Sequence, residues 1–132
     1  MSTANFTEKL LFFTSQKSRL NNQLSNIQMQ QLSATRSETT SQMAYNQQLQ
    51  ELYYDPVCGY GTEEYTEILV ALQNDHEFKM ASLTAWESQL EAQKESVETQ
   101  INEVTNYESS WQKMLANNIK VEFSYGGVGG GK

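Results

Sequence analysis

Two long runs of apolar residues, spaced alternately by four and three positions, dominate this chain. The first run begins at Phe6 and ends at Leu52, with a polar gap between Glu38 and Tyr45. Most of its positions are apolar, and it contains neither glycine nor proline. Such spacing places one narrow apolar stripe, here called the seam, along a helix, as in a coiled coil. The run therefore predicts an α-helix over about residues 5–54.

A second run with the same spacing extends from Leu69 to Leu115, with a single slip in phase between Leu90 and Lys94. It predicts a second helix over about residues 62–119. Because both seams are narrow, each helix needs a partner helix to cover its apolar stripe.

The segment DPVCGYG, residues 55–61, separates the two runs and holds the only proline and the only cysteine of the chain. Thr62, followed by Glu63 and Glu64, is a typical helix start, because its hydroxyl accepts from free amides and the acidic side chains oppose the positive end of the helix dipole. A loop this short joins antiparallel helices. The sequence therefore predicts an all-α fold, a long antiparallel two-helix coiled-coil hairpin, in a single domain of residues 1–132.

The register of the hairpin follows from the position of the turn. If the turn is centred near residues 58 and 59, facing residues have numbers that sum to about 117. This register pairs apolar residues four times: Leu90 with Ile27, Val97 with Leu20, Val104 with Phe13, and Trp111 with Phe6. It also places Trp86 beside Gln31 and Ala34, Lys79 near Glu38, and Glu108 near Lys9.

The final residues, 120–132, change period. Val121, Phe123 and Tyr125 alternate with polar residues, and five of the six residues 126–131 are glycine. Alternation is typical of an extended segment, and glycine has little conformational preference. We predict a short extended, glycine-rich C-terminal tail, which either is disordered or packs where backbones approach closely in an assembly.

Large apolar residues also lie off the seam. Gln, Asn, Ser and Thr make up 48 of the 132 residues, so little apolar surface is left for a compact core. Either the helices bend to bury the off-seam residues, or neighbouring subunits cover them. We favour the second alternative and predict an interface with a partner or with further copies of the chain. It comprises Phe12, Met29, Met43, Tyr53, Tyr54, Tyr60, Tyr65, Phe78, Met114, Phe123 and Tyr125.

The tyrosines of this set crowd the predicted loop, where two interpretations remain open. Four of them lie between residues 53 and 65. Their rings either pack the turn together or present a rigid aromatic surface to a partner.

The net charge of −7 arises entirely after residue 55, where twelve acidic and five basic residues lie. An acidic balance repels phosphate backbones and anionic lipids, so we expect no nucleic-acid partner. No apolar run approaches the roughly 18 residues that span a bilayer, so we expect no integral membrane segment. The amino terminus lacks the long apolar core and the cleavage site of a signal peptide, so export would proceed without cleavage.

No residue pattern in this sequence indicates catalysis, a cofactor or a bound metal. Cys58 has no neighbouring histidine or basic residue to activate it as a nucleophile. His76, the only histidine, has Lys79 and Met80 at the spacings where a second metal ligand is expected, and a polar layer that sets the register is the better interpretation. We therefore expect a protein that is not an enzyme, with no catalytic, cofactor-binding or metal-binding residues.

The pattern of residues 5–119 is a long helical hairpin with an acidic, polar composition and apolar stripes on more than one face. It resembles the subunits that bacteria export and assemble into filaments, namely type III secretion needle and needle-extension proteins and the coiled-coil core of flagellins. The resemblance implies a structural subunit that forms a helical filament or oligomer with itself. It also implies a location at the cell surface or outside the cell, reached by non-classical export, and an export chaperone as a further partner.

The alternative function is a helical-hairpin interaction module that binds a protein partner. A secreted effector, a translocator or a small chaperone would work in this way. The alternative location for the chain is the cytoplasm. A second resemblance is to the helical-hairpin substrates of the type VII pathway, although the turn DPVCGYG lacks their Trp-x-Gly.

Overall fold

The computed structural model describes residues 3–130, and it describes side chains over residues 3–121. The chain forms two α-helices, α1 over Thr3–Tyr53 and α2 over Glu63–Gly130. They pack against each other as an antiparallel hairpin, joined by the loop of residues 54–62. Residues 3–130 contain no β-strand. The predicted all-α helical hairpin is therefore confirmed.

The carboxyl end of α2 differs from the prediction. An extended tail was expected from residue 120, but α2 continues as a helix to Gly130. Each residue added to an existing helix forms one further hydrogen bond and needs no new nucleation step. Continued α2 helix is therefore favoured over a separate extended segment with a short alternating pattern. Residues 131 and 132 of the predicted tail lie outside the described residues.

Contacts divide the hairpin into two units. The loop unit comprises residues 27–93, and the terminal unit comprises the residues up to Asn26 together with those from Lys94 onward. The single domain expected for residues 1–132 stays a prediction.

The seam of the loop unit is closed by apolar residues at the predicted positions. Ile27, Ala34, Leu52 and Leu90 are buried, and Leu90 is only 1% exposed. In α1, Ile27 and Ala34 are seven positions apart, as a coiled-coil repeat requires. The helix pair thus has a narrow core with a heptad period.

The seam of the terminal unit combines aliphatic and aromatic side chains. Leu20, Val97 and Val104 are buried. Phe6 is buried too, and its ring centroid lies 5.3 Å from that of Trp111. This contact confirms the predicted pairing of Phe6 with Trp111.

Glu108 of the terminal unit has partners other than the predicted one. Its carboxylate accepts a hydrogen bond from Thr14 Oγ1 at 3.3 Å and forms an ion pair with Lys17 Nζ at 3.7 Å. Lys9 was expected in this place. Lys17 takes it because this residue lies on the seam itself, and its long side chain carries the ammonium group across to α2.

Both seams change phase at one layer of the loop unit. In each helix, three successive half-buried residues are separated by two spacings of four. They are Ser41, Tyr45 and Leu49 in α1, and Leu72, His76 and Met80 in α2. Two successive spacings of four form a stutter, which locally unwinds a left-handed coiled coil. The slip in phase therefore lies at His76, and its predicted place between Leu90 and Lys94 is wrong.

The predicted seam of α2 includes Lys79, but this residue lies off the seam as a result of the phase change. It is exposed and forms an ion pair with Asp75 of the same helix, with Nζ and Oδ2 3.0 Å apart. Met80 takes the half-buried position instead. Burying the Met80 thioether does not desolvate a charge, whereas burying the Lys79 ammonium group would. Lys79 therefore stays exposed, and its predicted contact with Glu38 does not form.

Glu38 faces a second carboxyl group in the loop unit, that of Glu87. The hydrogen bond between the two side chains raises the pKa of Glu87 above its ordinary value, and desolvation and charge repulsion act in the same direction. Two carboxyl groups in contact can share one proton, so one of them stays protonated to a higher pH than an isolated carboxyl group does. A pair of acids thus occupies a seam position where the sequence suggested an ion pair.

Candidate interaction site

The loop that joins the helices is organised by the carboxylate of Asp55. Its Oδ1 atom accepts hydrogen bonds from the backbone amides of Val57, at 2.8 Å, and Cys58, at 3.0 Å. These amides, that of Cys58 above all, lower the pKa of Asp55, because they stabilise the ionised carboxylate. The backbone amide of Tyr60 donates to the carbonyl of Tyr53 at 3.1 Å and closes the loop.

Both glycines of the loop are required by its geometry. Gly59 is buried, and a Cβ atom there would collide with the carbonyl oxygen of Asp55 and lie 2.9 Å from that of Tyr53. Gly61 has a φ of 96°, a conformation that residues with a side chain rarely adopt. The path of the loop backbone therefore depends on glycine at both positions.

Thr62 starts α2 in the predicted way. Its hydroxyl accepts from the backbone amide of Tyr65 at 3.2 Å and donates to the carbonyl of Gly59 at 2.8 Å. Glu63 and Glu64 form the first turn of the helix, next to its positive end. The cap thereby links the loop to the helix that follows it.

Four tyrosines, Tyr53, Tyr54, Tyr60 and Tyr65, form a ring cluster here called the tyrosine cluster. The Tyr53 ring stacks on Tyr60 with centroids 4.9 Å apart, and it meets Tyr54 edge-on at 5.0 Å. Tyr65 meets Tyr60 edge-on at 5.7 Å. Yet Tyr54 is 80% exposed and Tyr60 is 69% exposed. The rings support one another and still leave a large aromatic surface in solvent.

The surroundings of the tyrosine cluster are strongly acidic. Residues 37–78 contain eight acidic residues and neither lysine nor arginine. Those nearest the cluster in sequence are Glu51, Asp55, Glu63, Glu64 and Glu67. The loop unit as a whole has ten acidic and two basic residues, a net charge of −8. An aromatic surface surrounded by carboxylates favours cationic partners, because cations are attracted both by acids and by ring faces.

Cys58 and His76 each have defined neighbours in the loop unit. Burial, and then the hydrogen bond and negative charge of Asp55, raise the pKa of the Cys58 thiol, which reduces its thiolate fraction. His76 Nε2 is hydrogen-bonded to Gln42 Oε1 at 3.1 Å, and the imidazole stacks on Tyr45. Over residues 3–121, no group of three or more His, Cys, Asp or Glu side chains is placed to hold a metal ion.

The other predicted interface residues are divided between the two units. Met29, Met43 and Phe78 are exposed in the loop unit, and Phe12 and Met114 are exposed in the terminal unit. They join no cluster comparable to the four tyrosines. Tyr65 is half-buried. The side chains of Phe123 and Tyr125 lie outside the described residues.

The predicted interface omits eight of the sixteen exposed large apolar residues of residues 3–121, and Val57 and Tyr107 are two of these eight. Val57, in the loop, is 81% exposed, and Tyr107, in the terminal unit, is 57% exposed. The Tyr107 ring stacks on Phe13, with centroids 6.0 Å apart, so it connects the seam to the surface. Its spacing of seven from Met114 could have revealed it, because residues seven apart share one face of a helix.

The terminal unit has the opposite charge balance from the loop unit. It contains seven basic and six acidic residues, a net charge of +1. Two lysines border a shallow depression on α2, which is lined by Lys113, Met114, Ala116, Asn117 and Lys120. Met114 is 51% exposed there. No acidic residue occurs between positions 109 and 121, so this surface, here called the lysine depression, is apolar and cationic.

Comparison with known protein families, with curated proteins and with solved structures finds no match to this chain. Within the part of the chain that the structure describes, neither helix has a stretch long and apolar enough to cross a membrane.

Proposed function

We propose that this protein is a structural subunit that associates with further copies of itself. One observation carries the proposal: among residues 3–121, eight apolar residues are buried, whereas sixteen large apolar residues are exposed. A two-helix hairpin covers one seam on each helix and has no third layer to cover the rest. Neighbouring copies would supply that layer.

The energetics favour association over exposure. Covering a large apolar side chain contributes about 1.5–3 kcal/mol relative to leaving it in water. Stable interfaces typically bury about 1,600 Å² in total. Tyrosine and methionine, which make up seven of these sixteen exposed residues, are also common at the centres of interfaces. On each copy these residues would form the apolar centre of such a contact, with polar residues around it.

The resemblance to exported filament subunits gives the proposal its biological form. In that form the chain assembles into a helical filament outside the cell, after export without a cleaved signal. The supporting features are the polar, acidic composition and the long hairpin. Filament, export and bacterial origin stay predictions.

Light scattering after gel filtration, combined with negative-stain microscopy, tests self-association directly. Purified chain should show a mass that rises with concentration above the monomer mass of 15.1 kDa, and elongated particles should be visible at high concentration. A monomer at every concentration and salt would contradict the proposal, and a dimer at every concentration and salt would contradict its filament form.

An interaction module for another protein is the second candidate, and the tyrosine cluster favours it. Its exposed rings and acidic surroundings suit a partner with lysines or arginines on its surface. This function needs no contact between copies of the chain, so a chain that is monomeric at every concentration would favour it. The same mass measurement therefore distinguishes the two candidates.

A further inference from the structure

We infer that successive copies join through two different surfaces, the tyrosine cluster of one copy and the lysine depression of the next. This inference rests on the self-association proposed above and specifies how it occurs. The two surfaces lie in different units and differ in both charge and shape.

The charges of the two surfaces are complementary. The loop unit has a net charge of −8 and the terminal unit a net charge of +1. Lys113 and Lys120 are both exposed and are seven positions apart, so they project from one face of α2. Glu64 and Glu67, beside the tyrosine cluster, are exposed as well. Opposite charges on two exposed surfaces steer association and set its orientation.

The apolar parts of the two surfaces also suit each other. Tyr54 and Tyr60 are the most exposed rings of the tyrosine cluster. Met114, between the two lysines, offers a flexible thioether that adapts its shape and contacts aromatic rings favourably. The lysine ammonium groups can lie over the tyrosine faces, where cation–π attraction strengthens the contact.

Contact between two copies of the same surface is disfavoured. Two loop units would bring net charges of −8 together, and like charges at an interface are repulsive. When the tyrosine cluster of one copy binds the lysine depression of another, the resulting pair still has one free tyrosine cluster and one free lysine depression. Such a heterologous contact adds copies indefinitely unless the rotation closes a ring. The charge division thus favours open chains over closed dimers.

Two variants, each with one surface disabled, test the inference. Tyr54→Ser/Tyr60→Ser removes the exposed rings, and Lys113→Glu/Lys120→Glu reverses the charge of the lysine depression. All four side chains are exposed, so circular dichroism should show that both variants stay helical. Each variant alone should be monomeric. An equimolar mixture should form a discrete pair of two chains, because each variant supplies the surface that the other lacks.

Arg19→Glu/Arg36→Glu is the matched control. It changes the net charge as much as the lysine variant does, at two exposed positions outside the lysine depression. This control should associate as the natural chain does. Raising the salt to about 1 M, which shortens the screening length to about 3 Å, should weaken association of the natural chain.

The outcomes separate the two levels of the proposal. A natural chain that is monomeric under all conditions overturns self-association itself. A natural chain that associates, with variants that still associate alone or a mixture that stays monomeric, overturns only the assignment of the two surfaces. Equal loss of association in the control and in the lysine variant also overturns that assignment, because overall charge would then explain the effect.

Discussion

The phenol ring of Tyr45 lies parallel to the imidazole ring of His76, with centroids 3.9 Å apart and planes 3° apart. This stack forms at the layer where both seams change phase. Flat rings fill the space between helices where neither seam presents an aliphatic residue. His76 in turn is hydrogen-bonded to Gln42. The layer is therefore polar, and His76 of α2 contacts both Tyr45 and Gln42 of α1.

Removing both rings should reveal their coupling. Tyr45→Ala and His76→Ala should each lower the free energy of unfolding, and the double variant should lose less than the sum. We expect a coupling free energy of about 0.5–1.5 kcal/mol, as for other ring pairs. Urea unfolding of the four proteins measures it. Tyr45→Ala combined with Val57→Ala should be additive, because Val57 is exposed in the loop. Additive losses for Tyr45 and His76 would contradict a stabilising stack.

Charge introduced into the buried seam should unfold the hairpin. Val97 is 8% exposed, whereas Val70 is 48% exposed. Val97→Asp should cost about 3 kcal/mol or more, because the carboxylate would be covered without a partner. Val70→Asp is the control and should cost well under 1 kcal/mol. Thermal unfolding followed by circular dichroism measures both. Similar melting temperatures for the two variants would show that the seam is placed incorrectly.

The carboxyl pair of Glu38 and Glu87 makes stability depend on pH. Because the pKa of Glu87 is raised in the folded state, the folded chain binds a proton more tightly than the unfolded chain. This contribution to stability is fully present below the ordinary pKa of 4.5 and is lost as the pH rises through the raised value. The melting temperature should therefore fall as the pH increases from 4.5 toward 7.

Glu87→Gln should reduce this slope and raise stability at neutral pH, because the amide donates to Glu38 at every pH. Glu77→Gln, at an exposed position, is the control and should leave the slope unchanged. Asp55 acts in the opposite direction, since its pKa is lowered and its contribution is lost as the pH falls below its ordinary value of 3.8. Measurements above pH 4.5 avoid this second effect. An unchanged slope in Glu87→Gln would contradict the shared proton.

The two loop glycines should differ in their tolerance of alanine. Gly61→Ala should cost about 1–2 kcal/mol, because only its backbone conformation is unfavourable. Gly59→Ala should cost more, because the added methyl group collides with backbone carbonyls of Asp55 and Tyr53. Urea unfolding gives the order. A smaller loss for Gly59→Ala than for Gly61→Ala would contradict the path of the loop.

The hairpin and most of its seam could be predicted, because apolar spacing is a direct consequence of helix geometry. Phe6 opposes Trp111 as the register required. Elsewhere the pairs drift: Gln31 Nε2 donates to Glu91 Oε2 at 3.0 Å, and these residue numbers sum to 122 rather than 117. A register that is predicted from the position of the turn is accurate to about one helical turn. The length and direction of each side chain decide which residue of the facing helix it contacts.

The phase change at His76 could not be predicted from spacing alone. Lys79 and Met80 both continue a plausible seam, and the choice between them depends on how Tyr45 and His76 pack in three dimensions. The contact between Glu38 and Glu87 follows from that choice, so it was missed as well. At the loop, the residues that end one helix and start the next were identifiable. The support of the tyrosine rings for one another depends on the path through Gly59 and Gly61.

Cys58 offers a chemical means of following the assembly of the chain. It is the only cysteine of the chain, it lies half-buried inside the loop, and its raised pKa leaves little thiolate at neutral pH. Alkylation at this site should be slow in an isolated chain and slower still once another molecule covers the tyrosines. The rate of maleimide labelling therefore reports, at a single atom, whether the loop is occupied.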